Sequence, residues 1–303
     1  SVMELWAIIA IIGATAQSLR TVCQKILIPR TGELGASFSR FVYGILFAWI
    51  WTFAICLKTG TSLPEMNMLF FVFVGFAALL QIAFTILLIM MFNHRNYAIG
   101  IALSKTEILQ TALLEAILIG YVASFSTLFA IIIGLVGIAL LSYQKIEIAN
   151  GHKVHLFFSP SHFLGIGSGA ALALANIFYF KATILLDGDL LLLDASFTAA
   201  IAITMQTIIL GTYLILRQPE QLMLCLANWR IGIFIGITAA VSTAAWFMAF
   251  AMFHLGAVRA IGQIELIISI LFSWLFLKEK ITLLEVIGIS VLGISIILVL
   301  LYA

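Results

Sequence analysis

Charge is what this sequence has least of: 9% of its 303 residues are Asp, Glu, Lys or Arg, against roughly 25% in soluble domains. With 64% hydrophobic residues and a mean hydropathy of +1.22, no water-facing outer layer can be assembled, which excludes a soluble globular fold. The net charge of +2, from 15 basic and 13 acidic residues, gives no field for a polyanion and excludes a nucleic-acid partner. Cysteine is sparse. Cys23, Cys56 and Cys225 lie scattered in or beside apolar segments, with neither zinc spacing nor a disulfide framework, so buried packing is their expected role. No HExxH, GxSxG or His/Cys/Asp cluster points to proteolysis or a metal site. The five histidines (His94, His152, His155, His162, His254) fall at or near loops. No Walker-type glycine loop is present, which argues against ATP-driven work by this chain alone. No cofactor is implied. A selectivity filter and a regular arginine array are also missing, which weakens a channel reading.

What is present is long apolar segments. Phe41–Leu57, Met66–Asn93 and Ile231–Phe253 contain no Asp, Glu, Lys or Arg, and each is about the 20 residues that a helix needs to cross the hydrocarbon core. The runs are continuous rather than alternating, which excludes a barrel. The expectation is an all-α integral membrane protein with ten transmembrane helices: 4–27, 35–57, 67–92, 96–119, 122–143, 162–185, 192–216, 229–253, 256–277 and 281–302. The first segment lacks a basic n-region and continues into Gln17, Arg20 and Gln24, so it reads as a span rather than a signal peptide. A hydrophilic connector, 144–161, divides the chain into 1–143 and 162–303.

These two parts are related. Ala36-Ser37-Phe38 recurs as Ala195-Ser196-Phe197 at an offset of 159, and Gln17 falls 159 before Asn176. Span 4 carries Ser104, Glu107, Thr111 and Glu115, and span 9 carries Gly262, Glu265, Ser269 and Ser273, each 158 further on. Each part holds five spans, an odd number, so the second must enter the bilayer with the opposite orientation. Two inverted five-helix repeats are typical of secondary transporters, with the site near the midplane between them. Lysine and arginine concentrate in loops 1–2, 3–4, 5–6, 7–8 and 9–10, while the other face is assigned Lys58 and Arg259. The positive-inside rule then places both termini outside.

Polar groups inside spans are costly, about 2.5–3.5 kcal/mol for a charge at the centre, so their spacing shows where they point. Ser104, Glu107, Thr111 and Glu115 share one helical face, and span 9 repeats it with Glu265 and Ser269. Gln17, Arg20, Thr21 and Gln24 form a stripe in span 1, answered by Asn176, Tyr179 and Thr183 in span 6. All four faces are expected to line a shared interior. Glu107 and Glu265 are the sharpest candidates: either exchanges a proton or meets a cationic group, or each pairs internally with Arg20, Arg40, Lys105 or Lys181. Arg20 and Arg40 either hold a substrate carboxylate in a bidentate contact or neutralise the glutamates. Trp246 and Tyr179 sit mid-span, where they wall a cavity or pack the core. Glu115, near a span end, is expected to be solvated. Gly165, Gly169 and Ala173, and Gly232, Gly236, Ala240 and Ala244, recur every four residues and allow close helix contacts.

Several segments carry a family resemblance. Leu277-Lys278-Glu279-Lys280-Ile281-Thr282 followed by Gly288 and Gly293, the echo in Ile119-Gly120-Tyr121 with Gly134 and Gly137, Arg40-Phe41, and Asn176 with Lys181 together resemble the drug/metabolite transporter superfamily, specifically its EamA-type ten-span members. The chain departs from the family at Glu107-Ile108 and Glu265-Leu266, where a proline is common, and at Tyr121 in place of the turn glutamate. The resemblance implies transport across the inner membrane of bacteria, with the termini in the cytoplasm, against the charge count; alternating access around a central cavity lined by spans 1, 4, 6 and 9 is the expected mechanism. A small polar metabolite is the expected substrate, with an amino-acid-like zwitterion or small carboxylate favoured and protons as a candidate coupling ion. Export of cationic drugs or amines is the alternative; a membrane enzyme or lipid-handling protein is the alternative of another class. The lipid bilayer is the other partner, and a monomer or homodimer is expected.

Overall fold

The computed structural model describes residues 2–92, 103–150, 160–276 and 282–302. Among them every element is an α-helix: α1 (Val2–Val42), α2 (Gly44–Thr59), α3 (Met68–Phe92), α4 (Glu107–Leu118), α5 (Phe125–Asn150), α6 (Pro160–Leu185), α7 (Leu191–Arg217), α8 (Pro219–Ala227), α9 (Trp229–Met252), α10 (Leu255–Gly262), α11 (Ile264–Phe276) and α12 (Leu283–Tyr302). Among the described residues, seven segments are long and apolar enough to cross a membrane: Leu5–Gln24, Ile26–Thr59, Met68–Leu87, Phe163–Leu185, Leu191–Arg217, Trp229–Met252 and Leu283–Tyr302. Of the ten expected spans, the fourth, fifth and ninth fall short. The fourth begins outside the described residues and continues as the 12-residue α4, the fifth has the shorter apolar stretch Phe125–Leu140, and the ninth is divided into α10 and α11. Helix α5 runs on to Asn150, so the start of the expected connector is helical; its remainder to 159 lies outside the described residues.

The surface is inverted relative to a soluble protein. Leu57, Ile117, Val122, Phe125 and Leu283 are more than 70% exposed, whereas Arg20, Glu107, Asn176, Arg259 and Glu265 are buried. Acyl chains satisfy the first set and would reject the second. The chain is a multi-pass membrane protein.

Its contacts divide into two compact units that each draw on both sides of the connector. Unit 1 comprises Ser1–Leu79 and Phe178–Phe253; unit 2 comprises Leu80–Ile177 and His254–Ala303.

Within unit 1 the expected first and second spans are joined by a kink rather than a loop. Pro29 removes a backbone donor, and Gly32 adopts φ 77°, ψ 168°, a region open essentially to glycine. The kink frees backbone donors further along, and Gly35 N–H finds the Gln221 side chain at 3.0 Å. The small-residue stripe of α9 has a visible use. Gly236 backs directly onto the Tyr43 backbone and Gly232 lies under its ring, while the Tyr43 hydroxyl donates to the Cys225 and Leu226 carbonyls at 3.1 and 3.2 Å. In hydrocarbon, where apolar burial gives no net drive, such close approach holds helices together. Helix α1 also packs against α9: Trp6 stacks on Phe253, and Gly13 meets Ala245 and Trp246. On α2, Trp49 Nε1 donates to Thr204 Oγ1 at 2.9 Å and Trp51 Nε1 to Ser196 Oγ at 3.1 Å. These two tryptophans therefore anchor α2 to α7.

Within unit 2, α5 and α12 cross where glycines meet backbone. A Cβ at Gly137 would stand 2.9 Å from Leu292 N and 3.1 Å from Gly288 O, and one at Gly134 would strike Ser295. Ser295 Oγ donates to Ala130 O at 2.7 Å, and Thr127 Oγ1 to Tyr302 O at 3.2 Å. Partner numbers fall along α12 as they rise along α5, so the two helices run antiparallel. Shifted by 158, the contact Ala130–Ser295 becomes Gly288–Gly137, which is also present, and Gly134–Ser295 becomes Leu292–Gly137, present too.

Candidate functional site

The polar centre of unit 2 is built where two helices break. Before α4, Leu103 and Ser104 are helical, Lys105 and Thr106 form a turn, and the helix restarts at Glu107; α10 ends at Gly262, Gln263 forms a turn, and α11 starts at Ile264. Lys105 and Gln263 are 158 apart, the offset of the sequence repeat. The chemistry of each break is local. Thr106 Oγ1 donates to Leu103 O at 2.6 Å and receives Gln110 Nε2 at 2.9 Å, so a side chain competes for the backbone ladder. At the second break Gln263 N turns back to Ala260 O at 3.2 Å and Leu266 N to Gln263 O at 3.0 Å, the tighter i to i+3 pattern. Gly169 of α6 abuts the first break: a Cβ there would lie 2.9 Å from Ser104 O and 3.3 Å from Glu107 N.

Each break creates helix ends, and the charges sit on the ends whose dipoles favour them. Glu107 and Glu265 occupy the first turns of α4 and α11, and Arg259 the last turn of α10. Arg259 Nε donates to Glu107 Oε1 at 2.7 Å and Arg259 Nη2 to Oε2 at 2.9 Å, a two-point contact of the strong, orienting kind. Asn176 Nδ2 adds a third donor to Oε1 at 3.1 Å. Glu107, Arg259 and Asn176 are 1%, 5% and 7% exposed. Glu265 Oε1 meets Lys105 Nζ at 2.6 Å and also acts electrostatically on Arg259. The result is a charge chain of two cations and two anions, neutral as a whole, which is how buried charge becomes tolerable. Gln263 is wedged into it, donating to Arg259 O at 3.1 Å. Thr111 is fully buried on the same face of α4, its hydroxyl without a partner among the described residues. Ser104 is buried at the break. Ser269 lies on α11, but its side chain is outside the described residues.

Two expectations need correction here. Arg259, assigned to a membrane face in the charge count, is buried in α10. Glu115, expected to be solvated, is 3% exposed. Its carboxylate receives Leu255 N–H at 2.9 Å and Gly256 N–H at 3.2 Å, capping the start of α10 in place of a capping side chain on His254 itself. His254 stacks on Tyr121, and its Nδ1 lies 3.6 Å from Glu115 Oε1. Burial holds the imidazole below its ordinary pKa, so at neutral pH this approach is a polar contact rather than an ion pair. Glu115→Ala is expected to remove the cap and destabilise the protein by about 1 kcal/mol, with Glu115→Gln losing less; thermal unfolding of the two variants in detergent checks the order.

Unit 1 holds the other candidates. Trp246 Nε1 donates to Gln17 Oε1 at 2.9 Å. Gln24 Nε2 donates to Ala36 O at 2.9 Å, spanning the kink in α1. Tyr179 is buried, packs at 4.4 Å against the tilted ring of Phe247 and accepts from Gln206 Nε2 at 3.2 Å. Arg20 is buried. Arg40, half-buried, lies 4.8 Å over the Phe41 ring and interacts electrostatically with Tyr179. Gln206 and Gln263 were not among the residues singled out from the sequence, although a glutamine inside an apolar run is itself a signal.

Residues 158–301 match the model of the EamA-like transporter family. None of the curated proteins matches the chain in sequence. A solved structure, described only as a crystal structure of a protein, is similar at a TM-score of 0.70, covering 97% of this chain and 99% of that one at 15% identity; that likeness is one of fold.

Proposed function

From a chain whose residues 158–301 match the model of the EamA-like transporter family, we propose a secondary transporter that moves a small polar metabolite by alternating access. The observation that carries this reading is the neutral chain of Lys105, Glu265, Arg259, Glu107 and Asn176 at two helix breaks one repeat apart. Discontinuous helices that bring half-helix ends and charges to one place are how transporters of inverted-repeat architecture build their sites. The antiparallel α5 and α12, with contacts that interchange under the 158-residue shift, support reading 1–143 and 162–303 as two inverted five-helix repeats and the chain as a ten-span protein. A bacterial inner membrane is the proposed location.

The near balance of charge favours a zwitterion or a small carboxylate over a polyanion, since a buried net charge must find a counter-charge at every stage of the cycle. Protons are the proposed coupling ion. Protonating Glu107 would release one arm of the Arg259 contact, and protonating Glu265 would release Lys105. In liposomes holding the purified protein, an imposed proton gradient is expected to drive accumulation of the substrate, and the double variant Glu107→Gln, Glu265→Gln is expected to reduce that accumulation to equilibration. Undiminished accumulation by the double variant would remove both glutamates from the coupling role.

A further inference from the structure

Two basic residues of the apolar spans, Arg20 and Arg40, belong to unit 1, and the sequence leaves Arg40 two roles: neutralising a glutamate or holding a substrate carboxylate. Each glutamate has a cation from its own unit, Glu107 in Arg259 and Glu265 in Lys105, so neither requires Arg40. Among the described residues, no carboxylate and no hydrogen-bond acceptor meets the Arg40 guanidinium. What it does have is the Phe41 ring at 4.8 Å, the Tyr179 phenol in electrostatic range, and a place in the last turn of α1. A ring face and a helix end offset part of the charge. Neither supplies acceptors for five N–H donors held in a rigid fork, in a segment, Ile26–Thr59, with 34 residues of high hydropathy.

We propose that Arg40 is the anchor for a carboxylate on the transported solute, with Phe41 beneath the fork and Tyr179, held by Gln206 at 3.2 Å, beside it. The proposal rests on the transporter reading above and narrows it, because the solute must then carry a carboxylate. A single planar guanidinium matches the two oxygens of a carboxylate and its single negative charge; a phosphate dianion would leave one charge over.

The test is thermal-shift titration of the full chain in detergent with propionate, L-alanine, propylamine and inorganic phosphate. Propionate and L-alanine are expected to stabilise the protein and propylamine to leave it unchanged. Arg40→Gln is expected to weaken the two carboxylates at least tenfold. Arg40→Lys keeps the charge but loses the fork; it is expected to show an intermediate loss and carries the test if the glutamine variant does not fold. Undiminished carboxylate binding in both variants, propylamine or phosphate as the tightest ligand, or no stabilisation by either carboxylate would overturn the proposal. In liposomes, uptake of a carboxylate-free solute that is indifferent to Arg40→Gln would overturn it while leaving the transporter reading intact. Arg40-dependent carboxylate binding with no uptake of any solute would support the anchor and remove the transporter reading instead.

Discussion

Replacing Arg259 with alanine is expected to destabilise the protein by about 3–5 kcal/mol, the usual cost of stranding one partner of a buried ion pair. Glu107 is 1% exposed, so without the guanidinium its carboxylate keeps only the Asn176 amide and has no route to water. The double variant Glu107→Gln, Arg259→Gln removes both charges and leaves groups that still hydrogen-bond; it is expected to lose clearly less than Arg259→Ala alone. That non-additivity is the diagnostic, since unrelated sites would sum. Denaturant or thermal unfolding in detergent, followed by a spectroscopic signal from the helices, measures it. A double-variant loss equal to the sum of the Glu107→Gln and Arg259→Gln losses measured singly would mean that the 2.7 and 2.9 Å contacts contribute nothing as a pair. Lys105→Met is a weaker version of the same experiment, because the Lys105 and Glu265 side chains are 21% and 11% exposed and the stranded Glu265 remains partly solvated.

The second large effect belongs to α5 and α12. Gly137→Leu places a side chain where the α12 backbone already stands at 2.9 and 3.1 Å, and backbone cannot step aside as a flexible side chain can. The helices must separate, and the hydrogen bond from Ser295 to Ala130 O is stretched with them. A loss of about 1–3 kcal/mol or more is expected. Gly293→Leu provides the control: on the same helix pair, a Cβ at Gly293 meets nothing within 4 Å, and a change within about 0.5 kcal/mol is expected. Parallel unfolding curves of the two variants decide it. A Gly293 variant as damaged as the Gly137 variant would mean that the cost is lipid packing rather than the contact, since glycine to leucine raises helix propensity.

Much of the architecture is legible in the sequence because charge is so expensive in hydrocarbon. Segments free of Asp, Glu, Lys and Arg mark helices, and the few polar residues left inside mark faces turned inward. Glu107 and Asn176, taken from separate stripes, do meet. What hides the rest is the breaks. In an unbroken helix Arg259 and Glu265, six residues apart, would point about 120° away from each other, and Lys105 and Glu107 about 160°. Regular periodicity therefore puts them on different faces. The turns at Lys105–Thr106 and Gln263 reset the phase and bring all four charges into one chain. Neither turn contains proline, and the glycine beside the second, Gly262, read as part of the polar stripe. The same applies to Glu115: nothing in its own segment announces that a new helix starts at Leu255, and only the fold turns a carboxylate near a span end into its cap. The span bounds 4–27 and 35–57 leave a loop across Pro29 and Gly32, where the structure has a kink. Gln221, far away in sequence, is what stabilises it.

Counterflow measures the central claim most directly. Sealed liposomes containing the purified protein are loaded with unlabelled L-alanine or propionate and diluted into a trace of the labelled compound. A carrier that exposes its site to one side at a time should concentrate label transiently inside for at least one of these solutes, and should lose the overshoot when Arg259 is replaced. A flat trace for both, with either compound chemically converted by the protein in detergent, would contradict it.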